Sequence, residues 1–526
     1  MALWIDLRGR KPITEGTVDR PPPAGCRTRR IWLLTLILLI GAAARIAPLT
    51  DNRFHPDEAL FATLGRLIIT GDDPWLSETS LLVDKPPLFY YVLAGGISIS
   101  WASELTARLP GLFASLISVA LVARLGWLLW RSGAAALLAA TFYALSPFAI
   151  LFSPTVFADP QLVMWLLAAL VAVASGRWGW GGLLYGLALA TKQSALFFAP
   201  LVVGLGVVQG VVPGLRWRDA GRWAGRFGLG LALPLALMLL WDVRRGAAVS
   251  FWTAGVEFNN PGRLARSTEV WPRAWAWLGW LRYVAGTGFL SGLLAAGVAA
   301  LVPVEIVARR RTRGAATTLL IAAFLIGYLA FHWLVAFPVL DRYLLPLVPL
   351  IALLVGRGGA LLIGWLACVK PSLSAGWRAL AAPGLALALA VPAWQAAHSA
   401  YPVGGDHGAF DGIEEVAGYL REKPLGTVVY YQSLGWPLHY YLYDAYLYLA
   451  PIGTPAALTD DLIAFGEDGA ERYIVLAGWE SPAEVLDAVR RAGYRAVPVL
   501  ETTNRFGERS FVVYRIGRGG WQRAGD

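Results

Sequence analysis

Two cysteines in 526 residues, Cys26 and Cys368, stand too far apart in the chain to suggest a disulfide framework. No Cys/His cluster has metal-ligand spacing, which removes a structural zinc centre from consideration. A Gly-rich nucleotide loop between a strand and a helix pattern is missing, and no repeat of solenoid type runs through the chain. Charge is sparse: 15% of residues are charged against 57% hydrophobic, and mean hydropathy is positive. That balance excludes a soluble enzyme built on one large core and indicates a polytopic membrane protein. The net charge of +10 raises the question of nucleic acid, but the arginines cluster in short stretches between apolar runs. The positive-inside rule accounts for them, so no nucleic-acid partner is expected.

What is present is a series of apolar runs of about twenty residues, the length that crosses roughly 30 Å of hydrocarbon. Residues 1–30 are Pro-rich and basic, and end in Cys26-Arg27-Thr28-Arg29-Arg30 before the apolar run 31–49. Ala42-Ala43-Ala44 offers only a loose cleavage site, so this run reads as an uncleaved first span with a cytoplasmic basic tail behind it. The external stretch 50–104 follows. Within it, 86–101 reads as re-entrant or surface-lying, because treating it as a span would put Arg124 and Arg131 outside. Further spans are expected at 109–130, 134–152, 162–174, two within 181–212 hinged near Pro200, then 227–241, 284–307, 315–337, 344–369 and 380–397. The total is about eleven. Splitting 344–369 at Arg357 would leave halves too short to cross. Residues 242–281 form a long external loop rich in Trp and carrying Arg244, Arg245, Arg263, Arg266 and Arg273, whereas 308–313 is the clearest cytoplasmic marker.

After His398 acidic residues become frequent and long apolar runs stop. Short β-like runs at 426–431, 472–477, 496–500 and 510–516 alternate with helical patterns at 412–422 and 481–493. Residues 398–526 therefore read as a small α/β domain on the outer face, appended to a membrane domain over 31–397.

The most polar segment near the start of the chain is 54–87, FHPDEALFATLGRLIITGDDPWLSETSLLVDKPP. Pro56 suits a first helical turn, Leu60, Phe61, Leu64, Leu67 and Ile68 recur at helical spacing, and Gly71 is a stop. Asp57 and Glu58 then sit at the start of a short helix lying along the membrane surface. Helix capping alone would explain two acids there. Asp84-Lys85-Pro86-Pro87 adds a second charged pair at the edge of an apolar run, and Asp159 emerges on the same face from another loop.

The pieces DEALFATLGRLIITGD, DKPPLFYYVLAG and ELTARLPGLFASL occur in order, followed by SPTVFADP, LALATKQSALFFAPL and DRYLLPLVPLIALL. Together, over roughly residues 31–370, they resemble the membrane glycosyltransferases of the GT-C fold that take a sugar from a polyprenyl phosphate. These are the protein O-mannosyltransferase and lipid A aminoarabinose transferase-like enzymes of glycosyltransferase family 39. The resemblance implies an undecaprenyl-type phosphate-sugar donor and an acceptor hydroxyl on a glycan, lipid or protein. It also implies a site facing outward from the plasma (inner) membrane. By resemblance, Asp57 is the base candidate and Asp159 a second acid that positions acceptor or base, with Glu58 in support. Lys85 is the leading phosphate contact, with Asp84 beside it. Lys192, Arg342 and Tyr343 are further donor contacts, although Lys192 near a span end and Arg342 beside Tyr343 also fit interfacial anchoring. Arg263 and Arg266 are weaker candidates of the same kind. DKPP departs from relatives that carry a different acid before the lysine, which leaves the role of Asp84 less defined than that of Lys85. His55 offers either a hydrogen-bonding neighbour for Asp57 or a metal ligand. The cofactor stays open between none and a divalent cation, and the missing nucleotide signatures fit a lipid-linked donor.

Two other classes compete. A multispan transporter or lipid flippase would keep its ionisable residues near the bilayer midplane on broken helices, whereas here the acids gather in loops on one face. An inert anchor for the outer domain would leave those loops unexplained.

Overall fold

The computed structural model describes residues 24–100, 103–211, 217–259, 262–309 and 312–518. Most of the basic tail expected over 1–30, Cys26's side chain, and Arg310 and Arg311 of the cytoplasmic marker lie outside the described residues. Among the described residues, seven helices are long and apolar enough to cross a membrane: Arg30–Thr50, Glu104–Trp130, Asp219–Arg245, Gly288–Val307, Arg313–Leu334, Asp341–Val369 and Ala379–Ala397. The protein is a multi-pass membrane protein.

The expected count of about eleven is therefore too high, and the chain itself shows why. Ser146-Pro147 ends the helix Gly133–Leu145 and restarts it as Pro147–Leu151, since proline supplies no N–H to continue the ladder. Asp159–Ala174 has 16 residues and Trp178–Thr191 has 14, each shorter than a full crossing needs. The hinge expected near Pro200 lies earlier: Lys192 is extended, at φ −154°, and a 3-10 turn over Gln193–Phe198 leads into the helix Ala199–Val211. Asp159–Ala174 and Trp178–Thr191 are mostly buried in the bundle, covered by neighbouring helices. Trp178–Thr191 lies so close to Trp217–Arg245 that a Cβ at Gly182 would come within 1.9 Å of the Phe227 carbonyl oxygen. Such close approach is the use membrane helices make of small residues. Pro87–Ile97 has 11 residues, too few to span, as the charge placement requires. Val348–Val369 runs unbroken through Arg357.

The expected loop 242–281 is largely helical, Phe251–Asn259 and Ser267–Leu281. Arg273 caps the end of the helix Arg313–Leu334 by donating to the carbonyls of His332, Trp333 and Val335. The helix ends near Arg131, Arg177, Arg222 and Arg313 mark the cytoplasmic side of the bundle by the positive-inside rule. The segments carrying Asp57, Asp84, Asp159 and Asp341 lie at the opposite end.

Beyond His398 the chain forms an extracytoplasmic α/β domain around a five-stranded sheet: β1 Val428–Tyr431, β2 Tyr448–Pro451, β3 Arg472–Ala477, β4 Arg495–Thr503 and β5 Arg509–Gly517. The strand order is β2-β1-β3-β5-β4, with β1 parallel to β2 and β3, and β5 antiparallel to β3 and β4. Every residue of central β3 is buried, which matches its continuous apolar run. Ion pairs and hydrogen bonds fasten this domain to the first external stretch. Arg505, itself paired with Asp411, donates to Asn52, Arg66 donates to the Tyr440 carbonyl, and Arg53 bridges Glu104 and Glu414.

Candidate active site

The helix Pro56–Thr70 begins with a capping box: His55 Nδ1 accepts from the Asp57 N–H at 3.2 Å, and the Glu58 carboxylate accepts from the His55 N–H at 3.0 Å. It ends at Gly71, whose φ of 80° requires a residue without a Cβ penalty. Of the two acids in the first turn, only Glu58 caps. Its other oxygen accepts from the Val156 N–H at 2.8 Å and so ties this helix to the loop before Asp159. Burial, the largest influence, pushes the Glu58 carboxyl up to about 7, against the charge of Arg108 and its two backbone donors. The resulting contribution to stability is fully present below the ordinary value of 4.5 and is lost as pH rises through about 7. Glu58→Leu leaves two buried N–H groups without an acceptor and costs about 1–3 kcal/mol. Unfolding midpoints measured across this range should show that loss, together with a flatter pH dependence than the wild type.

Asp57 is free of capping duty and receives the Arg342 guanidinium at 2.6 Å. Arg342 also lies over the Phe157 ring, 5.2 Å from its centroid. Burial acts to raise the Asp57 carboxyl, but the charges of Arg342 and His55 outweigh it and hold the group below its ordinary value. Burial lowers the His55 imidazole, so its neutral form is favoured.

Asp159, only 2% exposed, receives Lys192 Nζ on both oxygens at 2.7 and 2.8 Å. The break in helix at Lys192 aims this ammonium inward, where it stands 5.5 Å from the Tyr343 ring centroid. Lys192 feels the charges of Arg342 and Lys85 as well, which places the three cations in one electrostatic neighbourhood. Lys85 pairs with its neighbour Asp84, its N–H is held by the Tyr90 hydroxyl at 3.1 Å, and Gln193 donates to the Asp84 carbonyl at 2.6 Å. Asp84 Oδ1 is buried and has no hydrogen-bond partner. Asp341 joins this centre to the cover above it, accepting from the Arg342 N–H at 2.7 Å and from the Gly404 N–H at 2.9 Å.

The structure thus brings together Asp57, Glu58, Asp84, Lys85, Asp159, Lys192, Arg342 and Tyr343. Arg263 and Arg266 are elsewhere: Arg263 is half exposed and paired with Glu269 at 2.7 Å, and Arg266 precedes the helix Ser267–Leu281. His55 spends Nδ1 on a backbone N–H, and among the described residues no group of three His, Cys, Asp or Glu side chains is placed to hold a metal ion. Tyr90, Gln193 and Asp341 were missed by sequence reasoning. Only Asp341 carried a signal, the acid next to Arg342.

Across 93% of this chain and 98% of the other, the structure superposes on ArnT from Cupriavidus metallidurans in the apo state, with TM-score 0.61 and 16% sequence identity. The chain has the ArnT fold. The same ArnT bound to undecaprenyl phosphate gives TM-score 0.60 and 17% identity over the same shares. Residues 84–242 match the family described as dolichyl-phosphate-mannose-protein mannosyltransferase. Two undecaprenyl phosphate-alpha-4-amino-4-deoxy-L-arabinose arabinosyl transferases are similar in sequence. That of Pectobacterium carotovorum is 28% identical over 183 residues, 32% of this chain and 33% of the relative, and that of an Enterobacter species is 27% identical over 205 residues, 35% and 36%. The aligned stretch spans about a third of the length of these curated relatives. On the ArnT fold, the match to residues 84–242 takes in Asp84, Lys85, Asp159 and Lys192, and leaves Asp57 and Arg342 outside.

Proposed function

We propose that this chain is an integral-membrane glycosyltransferase moving a sugar from a polyprenyl-phosphate donor of the undecaprenyl type to an acceptor hydroxyl, on the extracytoplasmic face of the plasma (inner) membrane. The observation that carries the reading is the gathering of three cations and three carboxylates from separate segments at one end of the bundle. The donor named for the similar arabinosyl transferases and the undecaprenyl phosphate bound to ArnT support the donor class. The match of residues 84–242 to the dolichyl-phosphate-mannose-protein mannosyltransferase family supports a lipid-linked phosphate-sugar transferase.

In this mechanism the acceptor O–H gives its proton to Asp57 as its oxygen bonds to the anomeric carbon, while the bond from that carbon to the phosphate oxygen breaks. Polyprenyl phosphate leaves with the bonding electron pair, and the anomeric carbon, now bonded to the acceptor oxygen, has inverted configuration. Lys85, Lys192 and Arg342 stabilise the charge that gathers on the departing oxygen. A second, covalent step would need a carboxylate poised as nucleophile at the anomeric carbon, and both oxygens of Asp159 are already held by Lys192. Arg342 has two anions to choose between. Before the donor arrives it neutralises Asp57; a phosphate competes for the guanidinium and releases the carboxylate as a base.

The test is transfer of labelled sugar from a panel of polyprenyl-phosphate sugars in membranes containing wild type or Lys85→Ala. Wild type labels acceptor with one donor class, and Lys85→Ala, at equal expression, loses about 10²–10³-fold in rate. Labelling with no donor sinks the reading and moves a flippase ahead of it.

A further inference from the structure

A cavity of about 500 Å³ lies between the helix Pro56–Thr70, the segment 78–81 and the α/β domain around 439–449. Its volume is that of a small-molecule site. Its wall is built on a rigid turn: the Asp73 carboxylate accepts from the N–H groups of Ser77, Glu78 and Thr79 at 2.8, 2.9 and 2.9 Å, which fixes how Glu78 and Ser80 are presented. Among the described residues, the side chains of Glu78, Ser80 and His439 make no hydrogen bond within the chain, and all three line this one cavity. Leucines, the Tyr443 ring, Ala445, Thr63 and Thr79 supply the rest of the lining.

We propose that this cavity is a saccharide-binding subsite that holds the acceptor glycan away from its reacting hydroxyl. The proposal rests on the transferase reading. Unspent carboxylate, hydroxyl and imidazole groups beside apolar walls suit a ligand with hydroxyls on its edges and C–H bonds on its faces. No cation lines the cavity, which disfavours a phosphate. Two of its walls are the segments that carry the reacting groups. Thr63 follows Asp57 on the same helix, about 9 Å along it at 1.5 Å per residue, and the segment 78–81 leads directly into Asp84 and Lys85. A saccharide seated here touches both elements that the chemistry uses.

Ala445 lines the cavity, and Ala445→Trp fills it; Glu78→Gln removes its charge. The full-length protein in nanodiscs is probed by saturation-transfer NMR with two disaccharides, cellobiose and chitobiose, and by equilibrium binding of polyprenyl phosphate. At least one disaccharide is expected to bind wild type, to weaken about tenfold or more with Glu78→Gln, and to lose binding with Ala445→Trp, while polyprenyl phosphate binds all three alike. In transfer assays Ala445→Trp then raises the acceptor KM by about tenfold or more and leaves kcat near wild type. Absence of disaccharide binding to wild type, or binding unchanged in Ala445→Trp, overturns the subsite. Disaccharide binding lost in Ala445→Trp, in a protein that transfers sugar from no donor, keeps the saccharide site and overturns the transferase reading instead.

Discussion

Asp57→Asn lowers sugar transfer by about 10²–10⁴-fold, the range removed with a positioned general base. Asparagine keeps the shape of the carboxylate, but it has lost the charge that holds Arg342 and cannot take a proton. Donor binding survives, because Lys85 and Lys192 are untouched and Arg342 is freed for the phosphate. Labelled transfer and polyprenyl-phosphate binding, measured side by side, separate the two effects; transfer within tenfold of wild type would place the base elsewhere. The pH dependence carries the same argument further. In the free protein the Asp57 carboxyl is held below its ordinary 3.8 because Arg342 and His55 outweigh burial. The stability gained from the pair is present above 3.8 and is lost as pH falls through the lower folded value. The acid limb of kcat/KM, which reports the free protein, therefore lies below the usual carboxylate range. Once a phosphate draws Arg342 away, burial dominates, so the acid limb of kcat lies at higher pH. Coincident limbs would mean that Arg342 stays on Asp57 throughout.

Arg357→Leu destabilises the protein by about 3–5 kcal/mol, the cost of leaving one partner of a buried ion pair without the other. Arg357 Nε meets Glu305 Oε1 at 2.6 Å, Glu305 is fully buried, and its second oxygen has no partner. The guanidinium also lies 5.9 Å from the Trp130 ring, whose indole N–H donates to the Gly314 carbonyl and the Thr318 hydroxyl at 3.1 and 3.2 Å. Removing Arg357 strands a carboxylate among helices; removing both charges does not. The double variant Arg357→Leu/Glu305→Leu regains most of the stability, since apolar replacements of buried pairs are often neutral. Thermal unfolding in detergent, followed by Trp fluorescence, measures both. A single variant that melts with wild type would show the pair to be idle.

The segment 54–87 shows how far local chemistry can be read. Pro56, the apolar spacing and Gly71 defined a helix that the structure places at Pro56–Thr70, and the neighbouring acids of its first turn have different partners. Glu58 caps, whereas Asp57 reaches Arg342. Their order along the chain could not separate them, because what distinguishes them is which side of one helical turn faces Val156 and which faces Arg342. Lys192 read equally well as an interfacial anchor, and its partner is a carboxylate 33 residues earlier. The α/β domain was legible in the runs expected at 426–431, 472–477, 496–500 and 510–516, which the structure forms as β1, β3, β4 and β5. Strand β2 and the helices Gly435–Tyr441 and Pro455–Phe465 were not, because β2 has four residues with no fully buried face, Gly435–Tyr441 is short and aromatic-rich, and Pro455–Phe465 buries only Leu458 and Leu462.

Span counting failed for an equally physical reason. Apolar length sets a crossing only where lipid covers the helix, and the short helices around Asp159 and Lys192 are covered by protein. Composition and periodicity by themselves determined that this is a multi-pass membrane protein with an α/β domain after His398, and where the helix Pro56–Thr70 starts and stops, because apolar length and capping are local requirements. Tertiary structure alone decided which charges meet. Arg342 and Asp57 lie 285 residues apart in sequence, and a buried charge is tolerated only where folding delivers its partner.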